Sequence, residues 1–331
     1  MSKKIFISAR LAEEWVAKLY PYGQVDFYDW GKTNRLLEPT ELVSRIADAD
    51  LAIIESDNIT AEIIAHAKNL RWIVVCRGTV INVDISAATE RGILIANTPG
   101  RNADAVADLT VCFMIMISRH VLKAVQSMAS GDWVKEGKRE IYLRFQGIEL
   151  YGRTAGLVGL GAIGSRVAER LSAFHMQLLA YDPYVSPSEA QKIGVQLVDL
   201  DTLMRQSDFV SLHAPLTEKT RGMIGSHQIG LMKPSAYFIN TARAELVDET
   251  ALINALREHK IAGAAVDVYL EEPLPLGHPW YSLDNVICTP HIGGASKDVV
   301  NHQSEMAIKA AIDFLERRIP KHTINNPLKV S

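Results

Sequence analysis

A glycine-rich turn in the middle of the chain constrains the fold more than any other segment. The run Gly159-Leu160-Gly161-Ala162-Ile163-Gly164 lies between a strand pattern over residues 154–158 and a helix pattern over residues 165–174. In such a strand–turn–helix, the first glycine permits the tight turn and the second lets a pyrophosphate approach the backbone. The third glycine allows the helix to pack closely on the strand. The turn therefore predicts a parallel α/β sheet that binds a dinucleotide through Gly159, Gly161, Ala162, Ile163 and Gly164.

An acidic residue after the next strand pattern indicates which dinucleotide is bound. Asp182 directly follows the apolar run 177–181, in the position where such folds carry an acidic side chain. A carboxylate there accepts hydrogen bonds from the ribose hydroxyls and repels a ribose 2′-phosphate. The N-terminus of the helix after the turn adds partial positive charge for the pyrophosphate. The sequence therefore favours NAD as the cofactor.

Short apolar runs alternate with helix patterns along the chain, which is typical of doubly wound parallel sheets. In the first hundred residues, strands are predicted over 5–7, 25–28, 51–54 and 72–75, and helices over 11–19, 41–47 and 61–67. After the turn, strands are predicted over 177–181, 209–212, 236–240, 264–268 and 286–289, and helices over 201–206 and 249–258. Because 331 residues exceed one ordinary core, we predict an α/β protein with two doubly wound parallel-sheet domains.

Composition excludes several classes of function. A net charge of −3 gives no general attraction to nucleic acid or to an acidic membrane surface. Cys76, Cys112 and Cys288 form no CxxC pair, which favours a reducing cytoplasm over a disulfide framework. The apolar run 111–117 is too short to span a membrane, so we expect a core or subunit-interface helix. No histidine or cysteine pattern predicts a metal site.

Three polar segments follow strand patterns in the second half of the chain, at the edge where open α/β sheets place their sites. They contain Arg243, Glu272 and His291. The arginine can hold a carboxylate with two parallel hydrogen bonds, and the histidine can accept or donate a proton. The glutamate can hydrogen-bond the imidazole and fix its tautomer. Hydride transfer to or from a 2-hydroxy acid needs these groups, so we expect Arg243, Glu272 and His291 to be catalytic and Arg243 to bind substrate.

In these segments and others, the chain resembles the D-isomer-specific 2-hydroxyacid dehydrogenases, which include phosphoglycerate dehydrogenases, glyoxylate/hydroxypyruvate reductases and D-lactate dehydrogenases. The resemblance covers almost the whole chain, and further blocks that carry it are residues 97–102 (NTPGRN), 147–154 (GIELYGRT), 181–183 (YDP) and 213–215 (HAP). It implies that Arg243, Glu272 and His291 are the family's catalytic residues. It also implies cofactor contacts from His213, Pro215, Thr241, Ala242, Asp267, Gly293 and Gly294.

The resemblance further implies a discontinuous arrangement of domains. In this family the Rossmann cofactor domain is inserted into a flavodoxin-like substrate domain. The substrate domain would comprise residues 1–101 and 292–331, with a helix predicted over 305–315, and the NAD-binding domain residues 102–291. The family's helix near residues 106–117 contributes to a dimer interface, so a homodimer through the cofactor domain is expected.

Two segments depart from the family pattern where substrate is recognised. The family's glycine-rich loop, whose N–H groups hold the substrate carboxylate, is shorter here, and Arg77, Gly78 and Thr79 are the remaining substrate-binding candidates. Phosphoglycerate dehydrogenases tend to carry an arginine after the third strand, where this chain has Glu55 and Asp57. Two carboxylates repel a phosphate unless other cations compensate them. We therefore rank 3-phosphoglycerate below a small 2-hydroxy or 2-oxo acid that is unphosphorylated or phosphorylated differently.

The leading hypothesis is an NAD-dependent D-2-hydroxyacid dehydrogenase in which His291 is the general acid and base. One alternative is a phosphoglycerate dehydrogenase proper, and another is a corepressor-like, NAD(H)-sensing interaction protein. Formate dehydrogenase shares the fold, but an amide replaces the acid that partners its histidine, so Glu272 argues against it.

Overall fold

The structure is a computed structural model that describes residues 2–325. The chain divides into two compact units, Met1–Asn102 with Ser296–Ser331, and Ala103–Ala295. Each unit is built on one sheet, with five strands in the first and seven in the second. The first division falls beside the boundary that the resemblance implies after residue 101, and the second falls after residue 295 rather than after residue 291.

The first unit contains a five-stranded parallel sheet in the order β2-β1-β3-β4-β5. Its strands are β1 (Lys3–Ser8), β2 (Gly23–Tyr28), β3 (Leu51–Ile54), β4 (Trp72–Val75) and β5 (Leu94–Asn97). The helices among them are α1 (Glu13–Val16), α2 (Trp30–Thr33), α3 (Pro39–Ile46), α4 (Ala61–His66) and α5 (Ile85–Glu90). This strand order is that of flavodoxin-like sheets, and it confirms the predicted fold class.

One helix of the first unit differs from its prediction. Residues 11–19 were expected to form a single helix, but α1 ends at Val16 and a 3₁₀ helix continues over Ala17–Tyr22. Pro21 lies in that segment. It has no N–H to donate to the carbonyl of Ala17, so an α-helix cannot continue through it without losing a hydrogen bond.

The second unit contains a seven-stranded parallel sheet in the order β12-β11-β10-β9-β6-β7-β8. Its strands are β6 (Thr154–Val158), β7 (Gln177–Tyr181), β8 (Gln196–Leu197), β9 (Phe209–Leu212), β10 (Tyr237–Asn240), β11 (Gly263–Val266) and β12 (Val286–Cys288). Its helices are α6 (Ala103–Ser118), α7 (Val121–Ala129), α8 (Asp132–Glu136), α9 (Lys138–Arg144), α10 (Ala162–Ala173), α11 (Pro187–Lys192), α12 (Leu200–Gln206), α13 (Ser226–Gly230) and α14 (Glu249–Arg257). The order reverses beside β6, which is the Rossmann arrangement and places a ligand crevice at the carboxyl ends of β6 and β9.

The last helix, α15 (Lys297–Leu315), returns to the first unit. Its side chains Ala311 and Phe314 are fully buried in a cluster with Ile7 and Ile53 of the first sheet. The opposite face of that sheet packs on α3, α4 and α5. Both faces of the parallel sheet are therefore covered, as its unbroken apolar strands require.

Helix α6 carries the most apolar sequence of the second unit. Phe113 and Met114, within the run 111–117, are buried in a cluster with Val167 and Leu171 of α10. In the part of the chain that the structure describes, no single helix has the length and hydropathy to cross a membrane. Helices α6 and α7 reach that length and hydropathy only as a pair bent by 63°.

Candidate active site

Glu272 and His291 form a hydrogen-bonded pair in the loops that follow β11 and β12. His291 Nδ1 lies 2.7 Å from Glu272 Oε2, and Glu272 Oε1 accepts the N–H of Tyr269 at 3.1 Å. When Nδ1–H donates to the carboxylate, Nε2 is left to exchange a proton with another molecule. The two side chains are 46% and 38% exposed. The pair therefore has the geometry of an accessible proton acceptor oriented by a carboxylate.

A buried carboxylate fixes the backbone that carries His291. Asp267 is 1% exposed, and its Oδ1 accepts from Thr289 Oγ1 at 2.6 Å and from the N–H of Ile292 at 2.8 Å. Its Oδ2 accepts the N–H of Gly293 at 2.7 Å. His291 has a φ of 53°, a left-handed conformation that a non-glycine residue keeps only when its surroundings impose it. The three hydrogen bonds to Asp267 provide that constraint.

Arg243 follows β10 in a turn that Asn240 braces. Asn240 Oδ1 accepts the N–H of Ala242 at 3.0 Å, and its Nδ2 donates to the carbonyl of Arg243 at 3.0 Å. Thr241 points into the protein, where its hydroxyl lies 3.0 Å from that of Thr110. Within residues 2–325, the exposed guanidinium of Arg243 makes one hydrogen bond, from Nη1 to the carbonyl of Ala242 at 2.6 Å. Most of its five donors therefore remain available for an anion.

The three glycines of the glycine-rich turn have different surroundings. A Cβ at Gly159 would lie 2.7 Å from the nitrogen of Ala214, and a Cβ at Gly164 would lie 2.2 Å from the carbonyl oxygen of Gly159. A Cβ at Gly161 would have nothing within 4 Å. Packing of the chain itself thus requires the first and third glycines. The second faces open space, where a phosphate can reach the backbone.

Helix α10 begins at Ala162, three residues earlier than predicted, with Gly161 as its N-cap. Gly161 offers no side-chain acceptor, so the N–H groups of the first turn, from Ala162 to Gly164, lack a capping side chain. Free N–H groups at a helix N-terminus bind anions. The turn and the helix together therefore fit a pyrophosphate.

Asp182 holds the glycine-rich turn and keeps acceptor capacity. Its Oδ2 accepts the N–H of Leu160 at 2.8 Å, and its Oδ1 accepts the N–H of Tyr184 at 2.9 Å. An ionised carboxylate has about four acceptor positions, so about two remain for ribose hydroxyls. This arrangement fits the ribose of NAD.

His213 is buried beneath the third glycine. Its Cβ lies 3.6 Å from the Cβ position of Gly164, and its Nε2 lies 3.0 Å from Ser211 Oγ. Burial lowers the pKa of His213 to about 3, so the ring is neutral at pH 7. Its buried Nδ1 has no hydrogen-bond partner within the described residues. Such an atom fits a site that a polar group of a ligand completes. Pro215, two residues on, is exposed.

The carboxylate that follows β3 in the first unit is compensated. Glu55 is 3% exposed, and it accepts from Arg10 Nη2 at 2.9 Å and from the backbone N–H of Arg10 at 3.0 Å. Asp57 is also buried, and burial raises the pKa of its carboxyl group. Arg10 is therefore a compensating cation of the kind that the electrostatic argument allowed for, and Glu55 gives no reason to rank 3-phosphoglycerate lower.

The substrate-binding candidates of the first unit lie just after β4. Arg77 is half-buried, and Gly78 and Thr79 are exposed. Asn97 Nδ2 donates to the carbonyl of Gly78 at 2.7 Å, and the N–H of Thr98 donates to the carbonyl of Arg77 at 3.1 Å. The end of β5 therefore fixes this loop.

A comparison with known families identifies the chain's class. Residues 111–293 match the model of the D-isomer specific 2-hydroxyacid dehydrogenase, NAD binding domain. The chain belongs to this family. Over 326 residues it is 38% identical to a D-3-phosphoglycerate dehydrogenase of Methanocaldococcus jannaschii, covering 98% of this chain but 60% of that protein. Over 332 residues it is 35% identical to a glyoxylate reductase of Thermococcus litoralis, covering 100% of this chain and 99% of that protein.

A solved structure shows the same fold. A protein of Thermus thermophilus superposes with a TM-score of 0.83 and 34% identity, covering 97% of this chain and 100% of that one. The family match and the two named relatives make this 2-hydroxyacid dehydrogenase an NAD-dependent oxidoreductase that acts on CH–OH groups, so the predicted family, enzyme class and cofactor are confirmed. Within residues 2–325, no group of three or more His, Cys, Asp or Glu side chains could hold a metal ion.

Several residues that hold the dehydrogenase's site had no role assigned from the sequence. Asn240 braces the turn of Arg243, and the hydroxyl of Tyr269 donates to the carbonyl of Thr289 at 2.9 Å. Burial raises the pKa of Tyr269, which keeps that hydroxyl protonated as a donor. Asn240 and Tyr269 each lie within three residues of the end of a strand, and this position in the sequence could have identified them as candidates. Arg10 also lies within three residues of the end of a strand, but its partner Glu55 is 45 residues away, so the sequence does not show their pairing.

Proposed function

We propose that this dehydrogenase interconverts a small D-2-hydroxy acid and the corresponding 2-oxo acid. Arg243 binds the substrate carboxylate, His291 is the general acid and base, and Glu272 orients the imidazole. The observation that carries the proposal is the 2.7 Å contact between His291 and Glu272, which leaves Nε2 of an accessible imidazole for proton exchange. Asp267 keeps that imidazole in place through the backbone of the same turn.

The proposed oxidation moves one proton and one hydride. The O–H bond at substrate C2 breaks as its proton passes to His291 Nε2, the C2–H bond breaks with its electron pair, and a C2=O double bond forms. NAD would be held by Gly161, the first turn of α10 and Asp182, and its nicotinamide C4 would supply the acceptor for this hydride. The imidazolium that results is stabilised by the carboxylate of Glu272. In reduction, His291 returns the proton to the carbonyl oxygen.

The cofactor contacts are part of the same proposal. The first turn of α10 and Gly161 bind the pyrophosphate, and Asp182 binds the ribose hydroxyls. The remaining proposed contacts to NAD come from residues in the loops after β9, β10, β11 and β12: His213, Pro215, Thr241, Ala242, Asp267, Gly293 and Gly294.

The test is a screen for NADH oxidation with glyoxylate, hydroxypyruvate, pyruvate and 3-phosphohydroxypyruvate. His291→Gln should lower kcat about 10²–10⁴-fold on every active substrate, since it removes general acid–base catalysis. The matched control is His227→Gln, because His227 also contacts a carboxylate, that of Asp201 at 3.1 Å, on the exposed surface of the same unit. Near-normal turnover by His291→Gln, or no turnover of any substrate, contradicts the proposal.

Phosphoglycerate dehydrogenase activity is a second candidate that one observation favours. Arg10 compensates the carboxylate of Glu55, so a substrate phosphate would not meet an unpaired negative charge there. The test is the ratio of kcat/KM for 3-phosphohydroxypyruvate to that for hydroxypyruvate. A ratio well above one supports this candidate, and a ratio below one rejects it.

We also propose a homodimer formed through the cofactor domain, in the cytoplasm, where unpaired cysteines are usual. Apolar side chains are exposed along the successive helices α7, α8 and α9, among them Val134, which is 93% exposed. Large exposed apolar side chains on neighbouring elements mark protein interfaces. Light scattering should give twice the chain mass, and Val134→Glu with Tyr142→Glu should give the monomer. A wild-type monomer at micromolar concentration rejects the dimer.

A further inference from the structure

We propose that Tyr269 is a positioning residue, whose hydroxyl holds the turn of His291 where the imidazole meets the carboxylate of Glu272. The effect on catalysis rests on the proposed function, because His291 is there the general acid and base. The positioning itself concerns only contacts within the second unit, so it can be measured without turnover.

Four residues of the second unit are joined in a closed ring of hydrogen bonds. The N–H of Tyr269 donates to Glu272 Oε1 at 3.1 Å, and Glu272 Oε2 lies 2.7 Å from His291 Nδ1. The N–H of His291 donates to the carbonyl of Thr289 at 3.0 Å. That carbonyl also accepts the hydroxyl of Tyr269 at 2.9 Å, which closes the ring. Both members of the pair are therefore connected to Tyr269.

The pair of His291 and Glu272 depends on such a constraint because it is exposed to water. The two side chains are 46% and 38% exposed. An exposed ion pair contributes little to stability, since water competes with it and both side chains lose conformational freedom. The 2.7 Å contact therefore depends on the backbone segments that bring the two side chains together.

Asp267 constrains only one of these two segments. Its carboxylate accepts three hydrogen bonds from the turn that carries His291, but within residues 2–325 it makes none to Glu272. Tyr269 is hydrogen-bonded to both, to the Glu272 carboxylate through its N–H and to the turn through its hydroxyl. Loss of this hydroxyl would release the turn from Glu272 while every hydrogen bond to Asp267 remains.

The hydroxyl of Tyr269 is a well-placed donor. The residue is 9% exposed and packs in one cluster with Val266 and Trp280. Burial raises the pKa of Tyr269, so the hydroxyl keeps its proton. It lies 3.4 Å from the carbonyl of Val266 and 2.9 Å from that of Thr289, so Thr289 is the principal acceptor. A phenylalanine here would keep the packing and lose only the donor.

The tautomer of His291 reports whether the ring is intact. When Nδ1–H donates to Glu272, Nε2 carries the lone pair that accepts a proton. If the turn moves away from Glu272, the proton of the neutral imidazole is no longer held at Nδ1 and is shared between the two nitrogens. The tautomer is therefore a measure of positioning that a general loss of stability would not change.

The experiment is Tyr269→Phe, with Tyr281→Phe as the matched control. Tyr281 is exposed, and its hydroxyl also donates to a backbone carbonyl of the same unit, that of Leu274 at 3.1 Å. On the most active 2-oxo acid of the screen, Tyr269→Phe should lower kcat about tenfold, less than the about 100-fold that a misplacement of about 1 Å can cost. KM and the Kd for NADH should stay close to wild type. Tyr281→Phe should change none of these quantities.

NMR of protein labelled with ¹⁵N-histidine measures the tautomer directly, at a pH where the imidazole is neutral. The signals of His291 are assigned by their absence in His291→Gln. The proton should lie on Nδ1 in the wild type and in Tyr281→Phe, whereas Tyr269→Phe should contain both tautomers. Because the Thr289 carbonyl keeps the N–H of His291 as a partner, we expect Tyr269→Phe to fold, and thermal unfolding checks this.

A double-mutant cycle tests whether Tyr269 acts through Glu272. If the hydroxyl works by aligning the imidazole with the carboxylate, Tyr269→Phe should lower kcat little further once Glu272→Gln is present. Residues that act independently give losses that add. Full additivity in this cycle would contradict the proposal.

The outcomes separate the positioning from the proposed function. If Tyr269→Phe keeps the wild-type tautomer, the inference is overturned, whatever happens to kcat. If the tautomer changes but an active enzyme keeps its kcat, Tyr269 does not position a group that matters for the reaction, and the inference fails as well. If no 2-oxo acid is turned over but the tautomer depends on Tyr269, the proposed function fails and the positioning stands.

Discussion

The carboxyl edges of the two sheets both carry charged side chains, but hydrogen bonds hold them differently. At the edge of the seven-stranded sheet, Asp267 accepts three hydrogen bonds from the turn that carries His291. At the edge of the five-stranded sheet, Arg10 pairs with Glu55, while Arg77 and Arg101 make no ion pair within the described residues. The first edge is organised by its own hydrogen bonds, and the second retains positive charge that its own side chains do not neutralise.

Under the proposed function, the first edge carries the groups that react, whereas the second carries arginines that have no ion-pair partner within the described residues. Groups that react must keep a fixed geometry. A buried acceptor such as Asp267 provides it by holding the backbone that carries the reacting group. A group that recognises a ligand is selective when it has no other partner, because a ligand without the matching group leaves it unpaired. The following predictions test this division, from the largest expected effect to the smallest.

Arg243→Gln should lower kcat/KM about 10²–10⁴-fold, because two hydrogen bonds from a charged donor to the substrate carboxylate are lost. The Tm and the Kd for NADH should stay close to wild type, since the guanidinium is exposed and has one internal hydrogen bond. Steady-state kinetics, thermal unfolding and NADH fluorescence measure these quantities. The control is Arg257→Gln, on an exposed face of α14. A large fall in Tm would show that Arg243 stabilises the fold rather than binding the substrate.

Asp267→Asn should lower both activity and stability. The two carboxylate oxygens of Asp267 accept three hydrogen bonds, and the substitution replaces one of these buried oxygens by an NH₂ group, which cannot accept. We therefore expect a loss of about 3 kcal/mol in the free energy of unfolding. Urea unfolding and kcat together measure the effect. Asp199→Asn, which alters an exposed N-cap of α12 that asparagine also caps well, should change neither. If Asp267→Asn lowered kcat without lowering stability, the carboxylate would act on ligands rather than on the turn.

Arg10→Gln should destabilise the first unit by about 2–3 kcal/mol, because it leaves the buried carboxylate of Glu55 without its partner. The estimate is at the low end for a buried pair, since the side chain of Arg10 is 38% exposed. The double variant Arg10→Gln with Glu55→Gln should recover most of that loss. Arg35→Gln, which breaks the exposed pair with Glu41, should leave stability nearly unchanged. If the double variant were no more stable than Arg10→Gln, charge compensation would not be the reason.

The smallest effect concerns pH. The pKa of His213 falls from 6.5 to about 3 on folding, so protons favour the unfolded state and stability is lost as pH decreases from about 6.5 to about 3. At pH 5 this group alone should cost about 2 kcal/mol relative to pH 7. Urea unfolding of wild type and His213→Gln at both pH values measures it, and the variant should show the weaker dependence. An equal dependence in both proteins would exclude His213 as its source.

Most strands of the two sheets could be predicted because parallel strands buried on both faces are continuous apolar runs, but β5 and β8 were missed. Residues 51–54 and 209–212 match β3 and β9 to the residue. Helices α7, α8 and α9 were not predicted, since they are short and expose apolar side chains that break the usual pattern of one buried face.

The candidate site shows a similar limit. The residue types and the order of Arg243, Glu272 and His291 are visible in the sequence, because each follows a strand. The contact between Glu272 and His291 spans 19 positions, and no local rule gives its distance. Arg10 and Glu55 lie at the ends of different strands, so only the register of β1 beside β3 shows that the acidic segment is compensated.

The return of α15 to the first unit also has a consequence for synthesis on the ribosome. One face of the first sheet, including Ile7, Ile53 and Val74, is buried by this helix, which begins about 200 residues after β5 ends. At typical translation rates those residues wait roughly 10–40 s for their partner. The nascent chain therefore exposes this apolar face of the sheet while the second unit is still being made. During that interval the face is accessible to chaperones that bind exposed apolar strands.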